Sequence, residues 1–195
     1  MAGDQPPRQR ADARRNADAL VDAAAAAFVE SGVGVPVREI ATRAGVGVGT
    51  IYRHFPTRAD LIVAVYRHQV EALADAGPAL LDGELTPHEA LSRWIDQFVD
   101  FLVTKHGLAE ALRSDDAAFE NLHTYFLDRL VPVCAHLLQA GVAHGDIRAD
   151  VGAIAVMRAV GSLCIGAGTD ARYDARRMVT VLLDGLRVAE NTDDR

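Results

Sequence analysis

The sequence predicts an all-α protein of about nine helices, and three observations lead to this prediction. Apolar residues recur at three- and four-residue spacing, no segment alternates like a half-buried strand, and glycine or proline separates the periodic segments. The chain has 195 residues, of which 50% are apolar, so it can bury one large core or two small ones. We therefore expect an N-terminal three-helix domain followed by a larger C-terminal helical domain.

Each helix is predicted from local signals in chain order. Residues 1–11 are polar and basic and contain Pro6-Pro7, which favours a disordered arm. The fourth helix is expected to end at Gly77-Pro78. Thr86 and Glu89 have the spacing of a capping box, which predicts the start of the fifth helix. Pro132 is expected to kink a long helix. The predicted helices span residues 12–31, 36–44, 47–54, 58–75, 86–104, 108–113, 116–144, 151–167 and 174–189. The expected domains are residues 12–57 and 58–190, with a tail at 191–195.

The most informative stretch is IATRAGVGVGTIYRHFPTRADL, residues 40–61. Gly45 is suited to end one helix in the left-handed conformation, and Val46 fills the corner that follows. Residues 47–54 then form a helix too short to be a core element by itself. Two helices joined by such a turn are typical of a helix-turn-helix, whose second helix enters the DNA major groove. The alternative is a helical hairpin in an all-α protein.

Within this motif the residue types separate an inner face from an outer one. Ile51 and Phe55 are expected to pack inward together with Val46. The leading turn of the second helix would face base edges, and polar residues further along would reach phosphates or bases. The residues predicted to contact DNA are Gly47, Val48, Gly49, Thr50, Tyr52, Arg53 and His54.

The pattern AGV-x-x-GTIYRHF-P-x-R resembles the tetracycline-repressor-like (TetR/AcrR) family of bacterial transcriptional regulators over residues 16–65, and residues 90–130 resemble it more loosely. The resemblance implies that Tyr52 and His54 hold the DNA backbone, that Arg58 also grips it, and that Arg38 contacts a base. It further implies a cytoplasmic homodimer, a repressor that a small-molecule effector releases from a palindromic operator. Ser or Thr is common in the family at Gly47 and Lys at Val48, so we expect fewer side-chain base contacts here.

The charge distribution is compatible with double-stranded DNA as a partner. The net charge is −7, but residues 1–60 carry +1 and residues 61–195 carry −8, so the acidic excess lies in the second part. A basic run precedes the first predicted helix, and it is either a solvated tail or a contact to phosphates or the minor groove. It consists of Arg8, Arg10, Arg14 and Arg15.

The second part suggests a dimer interface and an effector pocket. The last two helices are apolar on nearly all sides and so need covering on two sides, either by a second copy or within an ordinary monomer core. The expected interface residues are Met157, Val160, Cys164, Val179, Leu182 and Leu186. An aromatic stripe either lines a pocket for a mid-sized, largely apolar molecule or is simply core. It comprises Trp94, Phe98, Phe101, Phe119, His123 and Phe126.

Several other classes of protein are not favoured. No uncharged apolar stretch approaches 18 residues and no secretory h-region is present, so we expect no membrane partner. The seven histidines include no pair at i,i+4 spacing, and no catalytic motif is found, so we expect no metal, no cofactor and no enzyme. Cys134 and Cys164 fall in apolar helical patterns typical of buried thiols. The alternative functions are a helical small-molecule-binding protein or enzyme with a degenerate DNA-binding motif, and a helical adaptor.

Overall fold

The computed structural model describes residues 7–111, 116–165 and 172–188. Side chains are described for residues 17–102, 121–165 and 172–188. This part of the chain contains eight α-helices. They are α1 (Pro7–Ser31), α2 (Val37–Ala44), α3 (Val48–His54), α4 (Arg58–Leu81), α5 (Pro87–Ala111), α6 (Asp116–His144), α7 (Ala153–Cys164) and α8 (Ala175–Asp184). The all-α prediction is confirmed. The predicted helix at 108–113 is not separate, because α5 continues through residue 111. The glycine that precedes residue 108 does not end α5, since a glycine inside a helix costs only about 1 kcal/mol relative to alanine.

The first helix begins earlier than predicted. We expected residues 1–11 to be disordered, but α1 starts at Pro7, so residues 7–11 are helical. Proline suits the first helical position because its missing N–H has no partner there in any case. Residues 1–6 and the predicted tail at 191–195 lie outside the described residues.

The fourth helix runs past its predicted end, through Gly77 and Pro78 to Leu81. A Cβ atom on Gly77 would overlap Val133 Cγ1 and would lie 3.5 Å from Trp94 Nε1. Gly77 is therefore a point of close packing between helices. The predicted helix end was wrong because this tertiary contact, and not a helix C-cap, explains why a glycine is present at this position.

The predicted capping box at Thr86 and the predicted bounds of α6 match the structure closely, whereas the predicted bounds of α7 and α8 do not. The capping box at Thr86 is confirmed, since its N–H donates to Glu89 Oε2 at 2.9 Å, and α6 has its predicted bounds. Both α7 and α8 are shorter than expected. After α8 the chain forms an isolated antiparallel bridge between Ile147 and Arg187, a pairing too short to produce an alternating sequence pattern.

Clustering of contacts divides the chain into two compact units. One comprises Met1–Gln69 and His106–Leu122, and the other Val70–Lys105 and His123–Arg195. The division at Gln69 falls inside α4, so this helix contributes residues to both units.

One stretch in the described part of the chain, Asn121–His144 of α6, is long and apolar enough to cross a membrane by length and composition, with 33% of its most apolar window buried. Helices of soluble cores satisfy the same criterion, so the finding is weak evidence for a membrane. Asp128 and Arg129 lie within the stretch.

Candidate nucleic-acid interface and C-terminal groove

The turn between α2 and α3 is built as the sequence predicts. Gly45 has φ of 66°, the left-handed conformation that glycine adopts without strain. Its N–H donates to Thr42 O at 3.2 Å, and the N–H of Val46 donates to Ala41 O at 3.0 Å. These two bonds form a Schellman motif, which ends α2 and fixes the direction in which α3 leaves.

The short helix α3 presents one face inward and the other to solvent. Ile51 is buried at 1% exposure, Phe55 is half-buried, and Val48 and Tyr52, one turn apart, are 38% and 48% exposed. Gly47 is the N-cap and has no side chain to cap the helix, although its carbonyl accepts the N–H of Thr50 at 2.8 Å.

Most of the predicted DNA-contacting residues are accessible. Thr50 is half-buried, and the exposed members are Arg38, Gly47, Val48, Gly49, Tyr52, Arg53 and His54. The structure therefore leaves these groups available on one short helix and on the first turn of α2.

Arg58, predicted to grip the DNA backbone, forms hydrogen bonds within its own domain. It is half-buried, and its Nη2 donates to Val35 O at 2.7 Å and also to Val33 O. These bonds attach the start of α4 to the loop between α1 and α2. The guanidinium therefore braces its own domain, and its contact with a phosphate stays a prediction.

Two further stabilising groups were missed by the sequence reading. Asp60 Oδ2 accepts the N–H of Thr57 at 2.9 Å, and the N–H of Asp60 returns to Thr57 Oγ1 at 3.1 Å. This is a capping box at the start of α4, and its signal was the Thr-x-x-acid spacing. Arg43 joins α2 to Glu30 of α1 at 2.7 Å, and this hydrogen bond lowers the pKa of Glu30.

The predicted aromatic stripe is mostly core. Trp94, Phe98, Phe101 and Phe126 are at most 6% exposed. Ring centroids are 5.8 Å apart for Trp94 and Phe98, for Phe98 and Phe126, and for Phe101 and Phe126. The indole N–H of Trp94 donates to Leu73 O at 2.8 Å, which satisfies its one polar atom. The side chain of Phe119 lies outside the described residues.

A groove of about 590 Å³ lies between α6 and α7, and we call it the α6–α7 groove. Of the predicted pocket residues, His123 and Phe126 line it. Its remaining lining was not predicted and consists of Leu127, Asp128, Val131, Ile154, Met157, Arg158, Gly161, Ser162 and Ile165. We expected the effector among helices that include α7, but we named no residue of α7 as a pocket residue because we assigned its apolar side chains to the dimer interface.

Most of the predicted interface residues are buried within a single chain. Met157, Val160, Cys164, Val179 and Leu186 are at most 6% exposed and Leu182 is half-buried, so they pack within one chain. The apolar residues exposed on the same two helices are Ile154 (60%), Met178 (40%) and Val181 (57%), and Ile165 (70%) directly follows the end of α7. Because both helices are apolar on two sides, the sequence pattern does not distinguish the inner face from the outer one.

The two thiols are buried, as predicted. Cys134 and Cys164 are both free, at 0% and 1% exposure. Burial raises the pKa of the Cys134 thiol to about 12, so the thiolate that reacts is scarce at neutral pH.

A clamp in the C-terminal unit joins α4 to α6. Glu71 accepts from Arg129 Nε at 2.8 Å, from Arg129 Nη2 and from the hydroxyl of Tyr125. The Arg129 hydrogen bonds, followed by the Tyr125 hydrogen bond, lower the pKa of Glu71. These charge-assisted hydrogen bonds therefore link α4 directly to α6.

Two family models together match most of the chain. Residues 20–65 match the model for bacterial regulatory proteins of the tetR family, and residues 86–188 match the C-terminal domain of SbtR-like transcriptional regulators. The second match alone covers more than half of the chain, so the resemblance extends through both parts.

Solved structures and a curated relative agree with these models. A TetR transcriptional regulator from Streptomyces coelicolor is 36% identical, with a TM-score of 0.78 over 89% of this chain and 99% of that one. A TetR regulatory protein from Mycobacterium vanbaalenii is 36% identical, with a TM-score of 0.72 over 92% and 99%. A helix-turn-helix-type transcriptional regulator from Staphylococcus aureus is 24% identical over 122 residues. The aligned region covers 62% of this chain and 66%, just under two thirds, of the Staphylococcus aureus protein. The chain therefore belongs to the TetR family of bacterial transcriptional regulators.

Proposed function

We propose that the protein is a homodimeric repressor that binds a palindromic operator and is released from it by a small-molecule effector. The observation that carries this proposal is the helix-turn-helix, in which Val48 and Tyr52 of α3 remain exposed while Ile51 is buried beneath them. A short helix with a large exposed surface of this kind is what entry into a major groove requires.

On DNA, few side chains are available to read bases. Bases are read directly by the hydroxyl and methyl of Thr50 and by the guanidinium groups of Arg38 and Arg53. Val48 adds an apolar contact to a thymine methyl. Tyr52 and His54 hold phosphates and set the register.

The dimer is formed through the outward faces of α7 and α8. Ile154, Ile165, Met178 and Val181 are large, apolar and exposed in one chain. A two-fold interface places two recognition helices about 34 Å apart, which matches successive major grooves of a palindrome.

The effector acts through α4. This helix leads from the reading head into the C-terminal unit, where Glu71 is held by Tyr125 and Arg129 of α6. An effector that favours the geometry unable to bind DNA shifts α6 and, through this clamp, α4. An effector that binds both geometries equally does not release the protein from DNA.

We place the protein in the cytoplasm, with double-stranded DNA as its partner and no membrane.

The salt dependence of binding to duplex DNA tests the proposal. Affinity should fall steeply as salt rises, with a logarithmic slope of about −0.9 for each phosphate neutralised. The variant Arg53→Ala removes a positive charge from the DNA-facing helix and should give a shallower slope, whereas Arg93→Ala, which removes an exposed charge from α5, should not. A slope near zero for the folded protein would favour the alternative, a helical small-molecule-binding protein with a degenerate reading head.

A further inference from the structure

The first turn of α2 carries Arg38 but has no side-chain cap of its own. The N-cap of α2 is Pro36, which has no side-chain group that could accept an N–H from the helix. Val35, directly before it, is only 3% exposed, whereas the side chain of Arg38 is exposed. The place of Arg38 therefore depends on how the loop of residues 32–36 is held.

Arg58 holds this loop from the start of α4. Its Nη2 donates to Val35 O at 2.7 Å and also to Val33 O, and both carbonyls lie outside the helices. Hydrogen bonds from a charged donor are roughly twice as strong as those between neutral groups. Arg58 is half-buried, so water competes less for these carbonyls than it would at an exposed site. One side chain thus fixes the backbone three residues before Arg38.

The turn that carries Arg58 is itself firmly held. Thr57 and Asp60 form the capping box described above, with the N–H of Thr57 donating to Asp60 Oδ2 at 2.9 Å. Leu61 and Ile62, in the same turn of α4, are 1% and 2% exposed. The guanidinium therefore extends from a part of the domain that is both capped and packed.

Base recognition depends on supports of this kind. A side chain in a binding site must be held within about 0.5 Å of its productive geometry by the groups around it. The exposed side chain of Arg38 has to be positioned through the backbone of its own turn, and Arg58 supplies the hydrogen bonds that reach the loop before that turn.

We propose that Arg58 is a positioning residue for base recognition, which sets the place of Arg38 in the major groove by holding Val33 O and Val35 O and does not itself touch DNA. This inference rests on the proposed function, in which Arg38 reads a base. A phosphate contact from Arg58 would instead add affinity for all sequences alike and carry no base preference.

The test uses Arg58→Met in the full-length protein, which removes the charge and the donors but keeps an apolar stem. The probe is the inverted repeat that the wild-type protein selects from a random duplex library, together with its single-base variants. Arg58→Met should reduce preference about tenfold at the base pairs where Arg38→Ala relaxes it, and should leave the salt slope unchanged. A slope shallower by about 0.9 for a lost phosphate contact, or an unchanged base preference, would overturn the proposal.

A double-mutant cycle separates positioning from a general loss of structure. Since Arg58→Met and Arg38→Ala act on the same base contact, the double variant should lose no more preference at those base pairs than Arg38→Ala alone. Independent roles predict that the two losses add, and additive losses would contradict the inference. Fluorescence anisotropy measures each affinity.

Arg93→Met is the matched control, because it makes the same substitution at an exposed position of α5 and should change neither preference nor slope. Circular dichroism confirms folding. If Arg58→Met does not fold, Arg58→Lys replaces it, since lysine keeps the charge but lacks the planar fork of donors. Positioning predicts relaxed preference at the same base pairs for Arg58→Lys, and wild-type preference would refute it.

The outcomes also separate this inference from the function on which it rests. Selection of no motif by the folded wild-type protein would overturn the proposed function and the role of Arg58 with it. A clear motif without coupling between Arg58 and Arg38 would overturn the role of Arg58 alone.

Discussion

Single residues in the helix-turn-helix have separable roles, and mutation can distinguish them. Tyr52→Phe removes the hydroxyl that we propose holds phosphate, so it should weaken binding to all sequences alike. Thr50→Ala and Arg38→Ala remove proposed base contacts, each worth about 1–3 kcal/mol of discrimination, and should relax preference at particular base pairs. Fluorescence anisotropy on a set of operators with single-base changes measures both effects. Uniform weakening by all three variants would refute the assigned base-reading roles.

Gly77 shows how one missing side chain supports the C-terminal unit. Gly77→Ala should destabilise the protein by about 1–3 kcal/mol, because the added Cβ overlaps Val133 Cγ1 in a packed core. Gly49→Ala is the matched control, since it places the same methyl group on helix α3 with nothing within 4 Å. Urea unfolding compares the two. Equal stability changes would mean that close packing is not the reason for a glycine at position 77.

At the scale of elements, the clamp between α4 and α6 should make stability depend on pH. The folded-state pKa of Glu71 lies below its usual value of 4.5. Its contribution is therefore present above about pH 4.5 and is lost as pH falls through the folded-state pKa. Glu71→Gln should lower the urea midpoint at pH 7, and the difference from wild type should shrink at acidic pH. The control Glu84→Gln, in an exposed turn, should show no such trend; a difference for Glu71→Gln that is constant with pH would contradict the clamp.

The elements predicted well from sequence are those fixed by neighbouring residues. The turn at Gly45 and the capping box at Thr86 each depend on contacts within five residues, so their local patterns were sufficient. The end of α4 was wrong because Trp94 and Val133, distant in sequence, determine how Gly77 packs.

The faces of helices were harder to predict. Met157 and Ile154 lie on the same apolar helix, yet one is 6% and the other 60% exposed. Their burial depends on which side of α7 meets α6, and periodicity alone does not contain that information. For the same reason, sequence identified the aromatic stripe but not its separation into a stacked core and a groove wall.

At the scale of the whole molecule, charge is distributed unevenly along the chain. Residues 1–60 carry +1 and residues 61–195 carry −8, so the proposed DNA contacts fall in the less acidic part of the sequence. A dimer presents two such reading heads, so sequence preference and symmetry should appear together in any DNA that it selects.

Selection of bound sequences from a random duplex library, with purified full-length protein at near-physiological salt, tests this central claim most directly. We expect one inverted repeat whose half-sites are centred about one helical turn, or a multiple of it, apart. Recovery of no motif by a folded, dimeric protein would contradict the account, and the C-terminal unit would then have to be studied as a small-molecule-binding protein in its own right.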